Sequence, residues 1–392
     1  MPNPKLGGAN RGRLPRRPLL SIIGALAVLA GSLGISACSD LGAGGIKGPK
    51  QTAEATGKAS GDITISQWPS YIDKKTVPEF EQKTGIKVDY IEDVNDNDEI
   101  FSKLQPTLQQ GDSSGRSMIV VTDWMAKKMY DLGYLQNFDK NQIPEVNKNL
   151  IPALQHPTFD PERQYSAPWQ SGMTGLVVNT KEAPDVKSIN DIFDPKYAGR
   201  VTVLSEMRDT VPLVMKGEGI DPLKATAEDW HNAIDKLRDA VKSGQIIGVT
   251  GNSYINDMAR GDVVVAIGWS GDAVQLQADN PDITFQMPKE GCILWSDNMV
   301  IPVGAPNPGA AYAFMNYVYD PQNQAQIEAY DNYTTPVKGV QPIFEKTLPD
   351  LAKSPLIFPT EQYQRNCTTQ PNPPKLETHE IEQDFESLRT GG

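Results

Sequence analysis

The side chains best placed to do chemistry in this sequence are tryptophans and carboxylates, and they recur at similar positions. Trp68 closes the apolar run that starts at Ile63, and Trp124 lies three residues past Met118–Val121. Trp269 closes the run from Val263, and Trp295 sits in the strand after Gly291. Tyr71 follows Trp68 by three, and Tyr333 sits in an Asn-Tyr-Thr-Thr-Pro turn. Each aromatic taken alone is an ordinary core residue, and Trp230, inside a helical pattern, is read that way. Several at strand ends are different, because strand ends of a parallel sheet open onto a ligand crevice. Carboxylates share those places. Glu206 and Asp209 follow Arg200–Leu204 at a spacing that lets both point one way on a helical turn, although a helix N-cap is a rival role for Asp209. Asp297 follows Trp295 by two, on the same side of a strand. Aromatic walls around fixed acids make a box for an elongated cation. Ring faces pack its methylenes and attract its ammonium groups at about 0.5–2 kcal/mol each, and carboxylates accept its protons. Those carboxylates are expected to be ionised at neutral pH.

The elements that must position these groups alternate. Strands at Ile63–Trp68, Ile86–Ile91 and Met118–Val121 are separated by helices at Val77–Thr84 and around Ile100, Leu104 and Leu108, and Met125–Leu132 is a further helix. The pattern resumes with strands at Leu176–Asn179, Arg200–Leu204, Ile246–Thr250 and Val263–Trp269 and a helix at Ala227–Lys242. This is the signature of two α/β lobes, each a mostly parallel sheet with helices on its faces, and it predicts a cleft between them.

Length and composition agree. A chain of 392 residues suits two or three domains. A mean hydropathy of −0.42 excludes a polytopic membrane protein. The net charge is −12, and without residues 1–37, which hold five basic and no acidic residues, 32 basic face 49 acidic ones, or −17. A body that acidic repels nucleic acid and attracts cations.

The first forty residues address the protein. A basic stretch ends at Arg16-Arg17 and an apolar run spans Leu19–Leu33, too short for a membrane-spanning helix. Ile35-Ser36-Ala37-Cys38 resembles the lipobox of bacterial lipoproteins. It implies a signal peptide over residues 1–37, lipidation of Cys38 and anchoring at an extracytoplasmic membrane surface. Residues 38–60, rich in Gly, Ala, Ser and Thr without hydrophobic periodicity, are expected to form a flexible tether. Cys292 and Cys367 remain as an even pair in an oxidising compartment and are expected to bond, two separate buried thiols being the alternative.

Other chemistry lacks its residues. Asp93–Asp98 faintly resembles a calcium loop, but Asp98 stands at the glycine position and Leu104 at that of the closing glutamate, so it is read as a solvated loop before a helix. His156, His231 and His379 show no metal spacing. No phosphate loop or nucleophile elbow is present.

Several stretches together resemble the spermidine/putrescine-binding proteins of bacterial ABC importers, a branch of the type II periplasmic binding proteins. They are Gln67-Trp68-Pro69-Ser70-Tyr71, Thr84-Gly85-Ile86-Lys87-Val88, Tyr165-Ser166-Ala167-Pro168-Trp169, Pro288-Lys289-Glu290-Gly291 through Trp295-Ser296-Asp297, and Tyr333-Thr334-Thr335-Pro336. The resemblance implies a two-lobed α/β fold. Lobe 1 spans 61–172 with a return segment at about 299–350, lobe 2 spans 173–298, and the segment 351–392 packs on lobe 2. It implies aromatic walls at Trp68, Tyr71, Trp124, Trp269, Trp295 and Tyr333. Asp297 meets a mid-chain nitrogen, Glu206 and Asp209 hold a terminal ammonium, and Thr122 stands where the family has a small hydroxyl residue. The family also contributes a C-terminal Gln, which the sequence leaves unplaced within Tyr363–Pro374, and Cys292 replaces a usual glycine. The implied role is a monomeric receptor without cofactor or metal that closes on a polyamine and passes it to a membrane permease. Agmatine, cadaverine or thiamine are alternative ligands. An extracellular hydrolase using two of the acids, or a lipoprotein with no small ligand, are readings of other classes.

Overall fold

The computed structural model describes residues 54–389. The leader over 1–37, Cys38 and the first part of the tether lie outside the described residues. The tether ends sooner than expected: Glu54–Ala55 pairs in parallel with Asn137–Phe138, because Ala55 is buried against the body.

The main sheet is built from β1 (Ile63–Gln67), β2 (Val88–Glu92), β3 (Met118–Thr122), β4 (Ala167–Asn179), β5 (Val201–Leu204), β6 (Ile246–Thr250), β7 (Val265–Trp269), β8 (Ile283–Gln286), β9 (Ile293–Val300) and β10 (Thr368–Thr369). Its central path runs β2-β1-β3-β9-β4-β7-β5-β6. Two parallel triads, β2-β1-β3 and β7-β5-β6, form its ends. Between them β9 and β4 run antiparallel to each other and to their outer neighbours. The hydrophobic patterning explains the triads. Met118–Thr122 and Val265–Trp269 are buried along their whole length, as central parallel strands covered on both faces must be.

Strand β4 is longer than its apolar pattern suggests. Leu176–Asn179 is only its last third, since Ser171, Gly172 and Thr174 look like a loop in sequence. They belong to a strand because β4 passes from one triad to the other: Ala167–Thr174 pairs with β9 and Thr174–Val178 with β7.

Helices follow the strands: α1 (Thr76–Thr84), α2 (Asn97–Leu108), α3 (Asp123–Asp131), α4 (Met207–Gly217), α5 (Ala227–Lys242) and α6 (Ser270–Asp279). Helix α5 shows why. Thr226 and Asp229 form a reciprocal capping box, and Trp230, Ala233, Ile234, Leu237 and Ala240 make one buried stripe. After β9 the chain returns to the first triad through α7 (Pro308–Val318) and α8 (Pro321–Asp331). There Phe80 of α1 meets Phe314 and Tyr317 at 5.2 and 5.4 Å. The last helix, α9 (Thr378–Arg389), packs on α5, beside the second triad. It also reaches the first, where Arg389 pairs with Asp96 at 3.2 Å.

Candidate functional site

Strand ends and helix starts converge on a narrow cavity. Trp68, Pro69, Tyr71, Thr122, Glu206, Asp209, Asn252, Trp269, Trp295, Asp297 and Tyr333 line it. The rings form two groups. Tyr333 meets Tyr71 at 5.0 Å and Trp295 at 5.4 Å, while Trp68 meets Trp269 at 5.9 Å. Glycines make room for them. A side chain at Gly172 on β4 would overlap the Trp295 indole, and one at Gly271 would overlap the Tyr333 ring.

Asp297 sits on β9, paired across the ladder with Thr122 of β3 and Gln170 of β4. Two hydroxyls donate to it: Tyr71 to Oδ2 at 2.9 Å and Thr122 to Oδ1 at 2.8 Å. Glu206 stands at the N-cap position of α4, and Asp209 lies in its first turn. The N-cap role considered for Asp209 therefore falls to Glu206, whose carboxylate caps nothing on its own helix and faces α2 instead. Glu206 Oε1 accepts the Asn97 backbone N–H at 2.7 Å and Asn97 Nδ2 at 2.9 Å. Asp209 accepts from Trp269 Nε1 at 3.1 Å and from Gln370 Nε2 at 2.9 Å.

Electrostatics here differ from the expected ionised set. Burial pushes Asp297 up to about 7 and Asp209 up to about 6. Burial, followed by the charges of Asp96 and Asp209, holds Glu206 well above the usual carboxylate range. No ion pair joins these three to a lysine or arginine among the described residues; their partners are neutral donors. A polycation entering the cavity would supply the missing countercharge and favour the ionised forms.

Ten residues were expected around the ligand, and nine line the cavity. The exception is Trp124. As the second residue of α3 it turns away from the strand end, and the Arg208 guanidinium covers its ring at 3.8 Å. The sequence reading also missed residues. Asn97, fully buried, links both ends of the site: besides Glu206, its Nδ2 donates to Thr122 Oγ1 at 2.8 Å, and Thr122 donates on to Asp297. The stretch taken for a solvated loop is thus partly interior, with Asp96 buried as the cap of α2. Asp272 accepts from Tyr333 at 2.6 Å and Tyr254 at 2.8 Å, and the Tyr254 hydroxyl in turn accepts the Trp269 backbone N–H at 3.0 Å. Its place one helical turn after Trp269 was the available signal. One glutamine of the Tyr363–Pro374 stretch, Gln370, reaches the site through its bond to Asp209. Cys292 and Cys367 are joined in a disulfide.

The putrescine-binding periplasmic protein PotF of Escherichia coli is 31% identical over 321 residues, covering 76% of this chain and 83% of that protein. A spermidine/putrescine-binding periplasmic protein of Haemophilus influenzae is 26% identical over 338 residues, covering 85% and 89%. Among solved structures, a Listeria monocytogenes protein described as a spermidine/putrescine ABC transporter superposes with a TM-score of 0.75 at 27% identity, covering 84% of this chain and 99% of that one. The fold is that of the two-lobed type II periplasmic binding proteins. The family profile for bacterial extracellular solute-binding proteins matches residues 75–359. These proteins bind solutes for transport and are not enzymes, and the present chain belongs to them.

Proposed function

We propose that this protein is a lipid-anchored extracytoplasmic receptor that captures polyamines such as spermidine or putrescine and delivers them to the permease of an ABC importer. One observation carries the reading: three buried carboxylates, raised chiefly by burial, share an aromatic cavity without a basic partner among the described residues. Such a site is costly to leave charged and is relieved by a flexible chain bearing several ammonium groups. Names of relatives point the same way, PotF being named for putrescine and the Haemophilus influenzae protein for spermidine and putrescine.

In this reading Trp68, Tyr71, Trp269, Trp295 and Tyr333 pack the methylenes. Asp297 takes a mid-chain nitrogen, with Thr122 and Tyr71 holding it, and Glu206 and Asp209 take a terminal ammonium. Lobe 1 comprises 61–172 and about 299–350, and lobe 2 comprises 173–298. Closure rotates one against the other on the β4 and β9 crossings, so the Glu206–Asn97 contact forms as the ligand is enclosed. Cys38 carries the anchor, and a Cys38→Ser protein would leave the membrane fraction.

Isothermal titration of the ligand-free protein with putrescine, cadaverine, spermidine, spermine, agmatine and thiamine tests the ligand class. One-to-one binding of a polyamine at micromolar affinity or tighter supports the reading. Tight binding of agmatine or thiamine alone keeps the receptor and changes its ligand, and silence across the panel in folded protein overturns it.

A further inference from the structure

Between Phe358 and Gln370 the C-terminal arm is held to the body mainly by one covalent bond, and it is anchored again just beyond Gln370 by buried Pro371 and Pro373 and by Arg208, which donates to Asn372 at 3.1 Å. No residue between Phe358 and Gln370 is buried, and Glu361, Gln362, Arg365, Asn366 and Thr369 are exposed, so no apolar side chain fixes this stretch. Its noncovalent ties are few. The Thr368 N–H donates to the Cys292 carbonyl at 3.0 Å, the Gln370 N–H to the Leu294 carbonyl at 3.0 Å, and Lys216 Nζ to the Asn366 carbonyl at 3.0 Å. An exposed segment held by so few bonds opens easily on its own.

Cys292 and Cys367 bond at the point where the arm meets β9. The fit there is close: Gly291 has φ +97°, and a side chain on it would overlap the Asn366 carbonyl. From Cys367 the arm runs as β10 alongside Ile293–Leu294, and three residues on it delivers the Gln370 amide to Asp209 Oδ1 at 2.9 Å. On the neighbouring strand, Trp295 follows Leu294 and Asp297 lies two further on, so the strand to which the arm is stapled runs into the cavity.

We infer that the Cys292–Cys367 disulfide is a positioning element of the ligand site, setting polyamine affinity by holding Gln370 against Asp209. The inference rests on the polyamine reading above. With the bond cut, the arm is freed on the side that leads to Gln370, the amide shifts off Asp209, and Asp209 loses one of its donors. The two cysteines touch no ligand and act only through Gln370.

The test is a double-mutant cycle on the purified protein, read as polyamine Kd and as Tm. Cys292→Ser/Cys367→Ser and Gln370→Ala should each weaken binding about tenfold, the loss of one hydrogen bond to a charged group, and the combined variant should be no weaker than Gln370→Ala alone. Mild reduction of the oxidised wild-type protein, with thiols titrated to show cleavage, repeats the measurement should the serine variant fold poorly. A bond that only stabilises the fold would lower Tm and leave Kd unchanged, overturning the inference. Additive losses in the cycle overturn it as well. Oxidised wild-type protein that binds no polyamine overturns this inference and the ligand reading together, whereas binding indifferent to cleavage overturns this one alone.

Discussion

The two ends of the cavity hold their carboxylates in different ways. Asp297 belongs to β9, one of the two strands that cross between the triads, and its donors Tyr71 and Thr122 both come from the first triad's side. Its surroundings are complete without any contact to the second triad. Glu206 and Asp209 sit at the start of α4 behind β5; Trp269 of the same triad donates to Asp209, and their other donors arrive from elsewhere. Asn97 comes from the helix after β2, and Gln370 from the C-terminal arm. One end is built into the sheet, while the other is assembled from parts that separate in sequence and in the sheet. Under the proposed function the difference gives them different work: the sheet end would recognise, and the assembled end would report that the two sides have met.

Substitutions can break that distinction. Asp297→Asn should have the largest effect, weakening polyamine binding about a hundredfold by removing a buried charge partner. The same change should raise the Tm of ligand-free protein at pH 8, since it deletes a charge that burial disfavours. Calorimetry for Kd and a thermal melt for Tm check both signs. Glu206→Gln should weaken binding less, by about ten- to thirtyfold. Glu206→Ala should be strongly non-additive with Asn97→Ala, since each removes the bond from Asn97 Nδ2 to Glu206; additive losses would show that the assembled end does not act as a unit.

Protonation sharpens the comparison. The Asp297 pKa is about 7 in the folded protein, against 3.8 as its ordinary value. Native protein therefore holds a proton that unfolded protein lacks between those limits, and ligand-free stability falls as pH rises from about 4 to 7. Binding requires the ionised form, so affinity moves oppositely and drops as pH is lowered from 8 to 5.5. Melts and titrations on one pH series would expose any failure of the opposed slopes. The smallest effect belongs to Trp124→Ala, which should change Kd less than about threefold because its ring faces Arg208, against about tenfold or more for Trp269→Ala.

Much of this site could be read from the sequence because the rules involved are local. A strand that ends in an aromatic puts it at the crevice, which located Trp68 and Trp269. Alternation along one strand placed Trp295 with Asp297, and helical spacing placed Glu206 with Asp209. Misreadings arose where tertiary context decides. Trp124 lies close to a strand end, but a helix already under way rotates each residue by about 100°, enough to turn its ring aside. Asn97 lies in an acidic run that looks solvated, and only the approach of Glu206 makes it interior. Strand β4 carries Ser, Gly and Thr at its crossing because Trp295 needs the space over Gly172. The raised carboxylate pKa values follow from burial depth, which periodicity does not report.

A polycation that supplies the charge these three acids lack must change their protonation, which proton counting reads out. Putrescine or spermidine binding at pH 6.5 would be titrated in buffers of different ionisation enthalpy, which yields the number of protons exchanged. Net proton release on binding is expected, reduced in Asp297→Asn and smaller above about pH 8, where Asp297 and Asp209 are already ionised. Tight binding at pH 6.5 with no proton released, or release unchanged in Asp297→Asn, would contradict it.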